Sequence, residues 1–368
     1  MQSEQETNNS NQGLLAALNK LLLVIVVLVI TIVAIPFIVY YTSRPPKPAE
    51  TNTTEAASVE APKVAASIYW MAPEITGITD PKQKEQVAYG RELIAHTSKY
   101  LGPNGSVSKI SNGLNCQNCH LQAGTAVFGN NYGSVASMYP KLRARSGSVE
   151  NIYKRVNDCF ERSLNGKALD TAGQEMQAIV SYINFVGSNV PKGKKAEGSG
   201  FKDLAFLDRA ADPSKGQAVY TAKCQSCHQQ NGEGVFNADK TEYTFPALWG
   251  KNSFNDGAGL YRISNFTKYI KYNMPQGVTH ENPQLSDDEA WDVAAFVLTQ
   301  DRPHINTPKD WPDKSKKPVD HPFGPYADAF PEKQHKFGPF KPIMEALNAP
   351  ANQTFRSLYL KNYILWNY

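Results

Sequence analysis

Two short patterns of cysteine and histidine carry the clearest chemistry in this 368-residue chain. Each has the form Cys-x-x-Cys-His, and the members are Cys116, Cys119 and His120 in the first copy and Cys224, Cys227 and His228 in the second. In such a pattern both thiols can form thioethers with a haem while the histidine binds the iron. A thioredoxin-like pair or a zinc site also uses Cys-x-x-Cys, but the histidine after both pairs and the lack of further cysteine pairs favour haem. The sequence therefore predicts two covalently bound c-type haems.

Met274 is the natural sixth ligand for the second haem iron. A methionine thioether at that position raises the reduction potential, which suits transfer of electrons to a partner. The alternative is a core or loop methionine, the commoner role of this residue type. Met274 stands before Pro275 in a loop ending at Gly277, ahead of a predicted helix, and this setting favours ligation.

The sixth ligand of the first haem has several candidates, which are Cys159, Met138, Met176 and His96. Met176 falls inside a predicted helix, where a core role is expected. His96 precedes the attachment motif and is expected at the surface or in a linker. An internal repeat then selects among the candidates.

The two halves each close with a predicted capping box ahead of an apolar helix: Thr171 with Gln174, and Ser286 with Glu289. Thr171 and Ser286 are 115 positions apart, and the same offset carries Met274 onto Cys159. Insertions in irregular loops could also produce this match by chance. The repeat therefore indicates Cys159 as the sixth ligand of the first haem.

Cys159 could be more than a ligand. A thiolate on iron lowers the potential and remains a nucleophile, although a free cysteine can also be a small interior residue. Four arginines stand close in sequence: Arg143, Arg145, Arg155 and Arg162. If the surrounding segment is helical, Arg155 shares a face with Cys159, and Arg145 could reach from the preceding loop. A solvated basic face is the alternative, but beside a thiol the cluster predicts a site for a sulfur-bearing oxyanion.

Positions 21–41 form an uncharged apolar stretch of 21 residues, long enough for one membrane-spanning helix. A cleaved signal peptide is the alternative, but the stretch exceeds a usual h-region and no small-residue cleavage site follows it closely. Covalent haem attachment takes place outside the bacterial cytoplasm, as the likeness to c-type cytochromes implies. We therefore expect an anchored protein whose haem units lie on the periplasmic, extracytoplasmic side.

The predicted fold is mainly α, with two tandem cytochrome c-type haem domains behind the anchor and an extended C-terminal segment. The predicted segments are a cytoplasmic N-terminus (1–20), the anchor (21–41), a flexible tether (42–66), the first haem domain (67–190), a linker (191–212), the second haem domain (213–305) and the C-terminal segment (306–368). The net charge of +4 comes without a basic run interleaved with aromatics, so nucleic acid is not an expected partner.

The stretch from about 70 to 345 resembles the dihaem thiosulfate dehydrogenases, the tetrathionate-forming cytochromes c. The shared segments are NCQNCH, KRVNDCFERSLNG, EMQAIVSYI, KCQSCH, NMP and the run DWP to HKFGPF. The resemblance implies that Cys159 is both distal ligand and catalytic residue, that Arg145, Arg155 and Ser163 line the anion site, and that Met274 is the second haem's ligand.

The implied reaction couples two thiosulfate ions to tetrathionate and passes electrons to an acceptor such as another cytochrome or a membrane oxidase. The same site could also run as a tetrathionate reductase, because potentials are not fixed by a motif. The alternative function is a non-catalytic electron-transfer subunit of a membrane respiratory complex.

Overall fold

The computed structural model describes residues 20–23, 25–26, 28–32 and 68–349, and divides the chain into two compact units, 1–65 and 66–368. The described residues of 20–32 are helical and exposed. Among the described positions, no helix combines the length and the apolar character needed to cross a bilayer. Much of the predicted anchor (24, 27 and 33–41), the whole tether and the tail from 350 lie outside the described residues.

The larger unit is mainly helical. Its longer helices are Pro81–Ala95, Ile152–Arg162, Gln174–Val186, Pro213–Lys223, Ile263–Asn273, Asp287–Thr299 and Lys341–Asn348. Its shorter helices are Thr97–Leu101, Leu121–Gly124, Val135–Met138, Gln225–His228 and Glu332–Phe337, with 3-10 turns at Ile75–Gly77, Cys116–Asn118, Gly259–Tyr261 and Lys314–Lys316. Two antiparallel hairpins, which the sequence did not predict, pair Lys141–Arg143 with Ser148–Glu150 and Val235–Phe236 with Tyr243–Phe245.

The first helix of each haem domain crosses its last helix at very close range. A Cβ on Gly90 would lie 2.0 Å from the carbonyl oxygen of Ala178, and one on Gly216 would lie 1.9 Å from that of Asp292. Only glycine allows two helix backbones to approach in this way. The two domains therefore repeat one helix crossing, each beside its own hydrophobic core.

The same two helices begin with the same cap. Asp80 accepts a hydrogen bond from the backbone N–H of Lys82, and Asp212 accepts from that of Ser214. A proline follows each aspartate at the first helical position, where its missing N–H costs nothing. This Asp-Pro start is a local signal of the repeat that the capping-box argument overlooked.

The predicted capping box at Thr171 is wrong. The helix begins at Gln174 with Gly173 as its N-cap and has no side-chain cap, and Asp170 accepts from the Ala172 N–H in the preceding turn. The box at Ser286 and Glu289 is formed. The two caps are therefore not equivalent, although the close helix crossings at Ala178 and Asp292 match at an offset of 114 residues, one fewer than the caps suggested.

Cys159 and Met274 accordingly occupy different positions in their helices. Cys159 lies inside Ile152–Arg162, one turn before its end, whereas Met274 is the residue that terminates Ile263–Asn273. The match between the two positions in the sequence repeat therefore does not by itself show a shared role. The role of Cys159 has to rest on its surroundings.

The C-terminal segment is not extended throughout its described part. It is irregular up to residue 331 apart from one 3-10 turn, then forms Glu332–Phe337 and Lys341–Asn348. Phe340 and Ile343 are buried in the core of the second haem domain. The predicted linker is also packed: the backbone N–H of Phe128 donates to the Gly198 carbonyl, and that of Trp70 donates to Glu197.

Candidate active site

The first attachment motif begins in the turn Cys116–Asn118, which a capping box with Asn115 holds in place. His120 Nδ1 lies 2.6 Å from the carbonyl oxygen of Asn130, and the imidazole stacks on Tyr132 at 4.6 Å between ring centroids. Burial lowers the pKa of His120 to about 4, although the Asn130 bond acts in the opposite direction. The neutral ring donates from Nδ1 and so presents the Nε2 lone pair, which is what an iron ligand requires.

The second motif repeats this arrangement. His228 Nδ1 lies 2.9 Å from the carbonyl oxygen of Pro246, and burial again lowers the pKa of the imidazole. A cavity of about 350 Å³ opens here, lined by Cys224, Cys227, His228 and Met274 together with apolar side chains. Two thiols, a neutral imidazole and a thioether around one largely apolar cavity are the donor set that fits a covalently attached haem.

The two attachment motifs are neighbours. The 350 Å³ cavity is also lined by Asn115 and Cys119 of the first motif. The Tyr269 hydroxyl donates to the Asn118 carbonyl at 2.5 Å, and Asn115 Nδ2 donates to Glu242 at 2.9 Å. Side chains of the second domain therefore brace the first motif, and the two haem sites adjoin.

Cys159 is positioned by the helix Ile152–Arg162, whose N-cap Asn151 accepts from the Lys154 N–H at 2.9 Å. Arg155 Nη1 lies 3.2 Å from the Cys159 sulfur, one turn away on the same face. The negative charge of Cys159 raises the pKa of Arg155 above its ordinary value. Burial raises the pKa of Cys116 and of Cys119 to about 12, and the charge of Cys159 adds to that effect, which indicates that Cys159 acts on the first attachment motif.

Arg145 reaches the same region from the loop after Lys141–Arg143. Its side chain is 17% exposed, and Nη1 donates to the Gly257 carbonyl at 3.3 Å. Burial lowers the pKa of Arg145 to about 10, and the charges of Arg162 and Arg155 add to that effect. A buried cation among other cations favours an anionic ligand.

Several site residues escaped the sequence reasoning because they lie far away in the chain or carry no motif. Asp310 accepts two hydrogen bonds from Arg162, each 2.9 Å long. Glu150 is buried, with Oε2 at 3.8 Å from Arg143 Nε. Tyr139 accepts from Arg143 Nη1 at 3.1 Å. The sequence offered no signal for these contacts to the arginines beyond the acidic or aromatic type of each residue.

The remaining candidates from the sequence lie elsewhere. Ser163 ends the Cys159 helix, and its backbone N–H donates to the Cys159 carbonyl. Met176 is fully buried, Met138 is partly exposed, and His96 pairs with Glu242 at 3.0 Å. Of the candidates for the reactive residue of the first haem site, Cys159 is therefore the one whose sulfur contacts an arginine and acts on the first attachment motif.

Comparison with known proteins identifies both haem domains. Residues 107–191 match the cytochrome c domain of the SoxA/TsdA model, and residues 213–301 match the cytochrome c model. A thiosulfate dehydrogenase from Psychrobacter arcticus is 39% identical over 244 residues, which are 66% of this chain and 71% of the relative. One from Allochromatium vinosum is 36% identical over 257 residues, covering 69% and 90%.

A solved structure of a thiosulfate dehydrogenase also matches this chain. The as-isolated thiosulfate dehydrogenase (TsdBA) from Marichromatium purpuratum superimposes with a TM-score of 0.59 at 29% identity, over 65% of this chain. The present chain spans half the length of that solved chain. Two cytochrome c domains with fitting donor sets establish that the chain carries two covalently bound c-type haems.

Proposed function

The chain belongs to the dihaem thiosulfate dehydrogenase family of cytochromes c and is an oxidoreductase of that type, and we propose that it oxidises thiosulfate to tetrathionate at Cys159. The observation that carries the proposal is the 3.2 Å contact between Arg155 Nη1 and the Cys159 sulfur beside the first attachment motif. A thiolate held by a guanidinium is a nucleophile suited to sulfur chemistry in a site that attracts anions.

The reaction can be written in two balanced steps on Cys159. The thiolate and the sulfane sulfur of one thiosulfate form an S–S bond and release two electrons. The sulfane sulfur of a second thiosulfate then attacks the adduct sulfur that is bonded to Cys159. This forms the central S–S bond of tetrathionate, breaks the bond to Cys159 and releases its thiolate. When bound, each haem supplies one-electron redox capacity, so two haems can take up both electrons.

The arginines offset the repulsion between reactants of like charge. Two thiosulfate dianions and a thiolate must come within bonding distance, and fixed cations in a partly buried site stabilise that arrangement better than water does. Arg155 contacts the Cys159 sulfur, and Arg145, on whose pKa the charge of Arg155 acts, adds a second cation to the site. Ser163 contributes by ending the helix that carries the nucleophile.

Electrons would leave through the second haem, held by His228 and Met274, to another cytochrome or a membrane oxidase. We also propose that the enzyme can run as a tetrathionate reductase when the acceptor is reduced, because the steps on Cys159 are reversible.

Positions 21–41 would anchor the protein, with the haem domains on the extracytoplasmic side. Extraction of membranes with alkaline carbonate tests the anchor: full-length protein should stay in the pellet, and release into the supernatant would refute anchoring.

Replacement of the nucleophile tests the function. In the holoprotein with both haems attached, Cys159→Ala should lower thiosulfate turnover by at least about a thousandfold. Met344→Leu is the control, since Met344 is 38% exposed on the C-terminal helix Lys341–Asn348. Anaerobic steady-state kinetics with thiosulfate and an artificial acceptor measures both. Undiminished turnover in Cys159→Ala would refute the proposal.

A further inference from the structure

The first attachment motif forms part of the wall of the cavity, of about 350 Å³, that fits the second haem. Gln117, Asn118, Cys119 and Leu121 line this cavity, although they belong to the first haem domain. Leu121 also packs against the hydrophobic core of the second domain. The segment that would attach the first haem therefore faces the space for the second haem, so the two haem sites share a wall.

Tyr269 joins this shared wall to the second domain. It lies on the helix Ile263–Asn273, which ends at Met274, and its side chain lines the same cavity. Its hydroxyl donates a hydrogen bond of 2.5 Å to the carbonyl oxygen of Asn118, the residue directly before Cys119. One tyrosine thus lines the second haem site and is bonded to the backbone beside a thioether-forming cysteine of the first.

Other buried tyrosines of the second domain form their hydrogen bonds within that domain. Tyr220 lines the same cavity but donates to the Gln229 carbonyl at 2.6 Å. Tyr272, on the same helix as Tyr269, donates to the Asp203 carbonyl at 3.1 Å. Both are buried and bonded to a backbone oxygen, as Tyr269 is. What distinguishes Tyr269 is that its hydrogen bond crosses to the first attachment motif.

The hydrogen bond of Tyr269 persists at neutral pH. Burial raises the pKa of Tyr269 above its ordinary value, and the charge of Cys119 adds to that effect, so the hydroxyl stays protonated and keeps donating to Asn118. An electron tunnels more readily along covalent and hydrogen bonds than across an empty gap of the same length. The route from the Tyr269 hydroxyl to Cys119 consists of this hydrogen bond and the peptide unit that joins Asn118 to Cys119.

We propose that Tyr269 is the bridge through which electrons pass from the first haem to the second. This inference rests on the proposed function, in which electrons leave through the second haem. Each transfer oxidises the ferrous iron of the first haem and reduces the ferric iron of the second, while Tyr269 is neither oxidised nor deprotonated. Two such transfers carry away the two electrons that one turnover releases.

Removal of the hydroxyl alone tests the bridge. Tyr269→Phe deletes the hydrogen bond to Asn118 and keeps the aromatic ring in the cavity wall. Tyr272→Phe is the matched control, because it deletes a buried hydroxyl that is bonded to a backbone oxygen from the same helix. Pulse radiolysis of the oxidised holoproteins delivers single electrons, and absorbance follows their redistribution between the two haems. The rate constant should fall severalfold in Tyr269→Phe and stay at the wild-type value in Tyr272→Phe, and equal rate constants would overturn the proposal.

Redox titration of the same holoproteins separates a bridge from a hydroxyl that only supports the structure. Both haem potentials should be unchanged in Tyr269→Phe, so that the slower transfer reflects weaker coupling. A shift of the potentials large enough to explain the lower rate constant would instead refute the bridge.

Both measurements use no thiosulfate, so they are independent of the proposed reaction. A slower transfer in Tyr269→Phe at unchanged potentials stands even if the wild-type protein fails to oxidise thiosulfate. If thiosulfate turnover is robust but redistribution in Tyr269→Phe is as fast as in wild type, the bridge is refuted while the reaction stands.

Discussion

Arg155 Nη1 and Cys159 Sγ lie 3.2 Å apart on one face of the helix Ile152–Arg162. The spacing of four residues brings the two side chains together on adjacent turns. Because both groups are carried by one helix, their separation does not depend on the packing of the two haem domains. The nucleophile and its cation are therefore a rigid local pair.

Arg155→Gln should lower kcat/KM for thiosulfate by about 10- to 100-fold, since it removes a charge-assisted contact to sulfur and a cation that stabilises gathered anions. Arg155→Lys should retain part of the activity, because it keeps the charge but loses the fixed geometry. Lys84→Gln removes one charge at an exposed position of the helix Pro81–Ala95 and serves as the control. Steady-state kinetics compares the variants, and equal rates for Arg155→Gln and Lys84→Gln would contradict the assigned role.

Met274 lines the cavity of the second attachment motif, so its replacement should change the reduction potential of the second haem. Met274→His should lower the reduction potential of that haem by on the order of 100 mV, because a thioether ligand favours the reduced iron more than an imidazole does. Met176→Leu changes a fully buried core methionine instead. Redox titration of the holoproteins compares them, and an unchanged potential in Met274→His would exclude Met274 as a ligand.

The cofactor and the repeated domain could be read from the sequence because their signals are local. Each haem motif spans five residues, and the cap and glycine of each first helix lie within one short segment. Cys159 was also singled out, but through a capping box at Thr171 that does not form. The choice of Cys159 therefore rested partly on a cap that does not form, and it stays a prediction that the Arg155 contact supports.

The rest of the site depends on contacts between distant residues. Asp310 and Arg162 are 148 positions apart, and His96 and Glu242 are 146 apart. No spacing rule predicts such pairs, since they form only when the two domains and the C-terminal segment pack together. The hairpins have strands of two or three residues, too short for an alternating pattern to be recognised.

Asp320 gives the fold a dependence on pH. Burial by itself would raise the pKa of this carboxyl, but Arg262 and the hydrogen bonds from Ser264 outweigh burial and lower it. Its contribution to stability is therefore complete above the unfolded pKa of about 4 and is lost as the pH falls through the lower folded value. Asp320→Asn should cost about 3 kcal/mol at neutral pH, and the difference from wild type should shrink in acid.

Urea unfolding at neutral and acidic pH measures this effect. Asp208→Asn is the control, because Asp208 is 88% exposed and pairs only at the surface with Lys341. It should change the free energy of unfolding little at either pH. A constant difference between wild type and Asp320→Asn across the pH range would show that the charge of Asp320 is not what stabilises the fold.

Ile343 tests whether the C-terminal segment belongs to the second domain's core. Its side chain is fully buried within that core, whereas the next residue on the same helix, Met344, is 38% exposed. Ile343→Ala should lower the free energy of unfolding by about 2–5 kcal/mol, because it removes buried methyl groups and leaves a cavity. Met344→Ala should cost well under half as much, since its side chain already contacts solvent. Urea titrations of the two holoproteins compare them directly, and equal losses would mean that the segment rests on the domain surface.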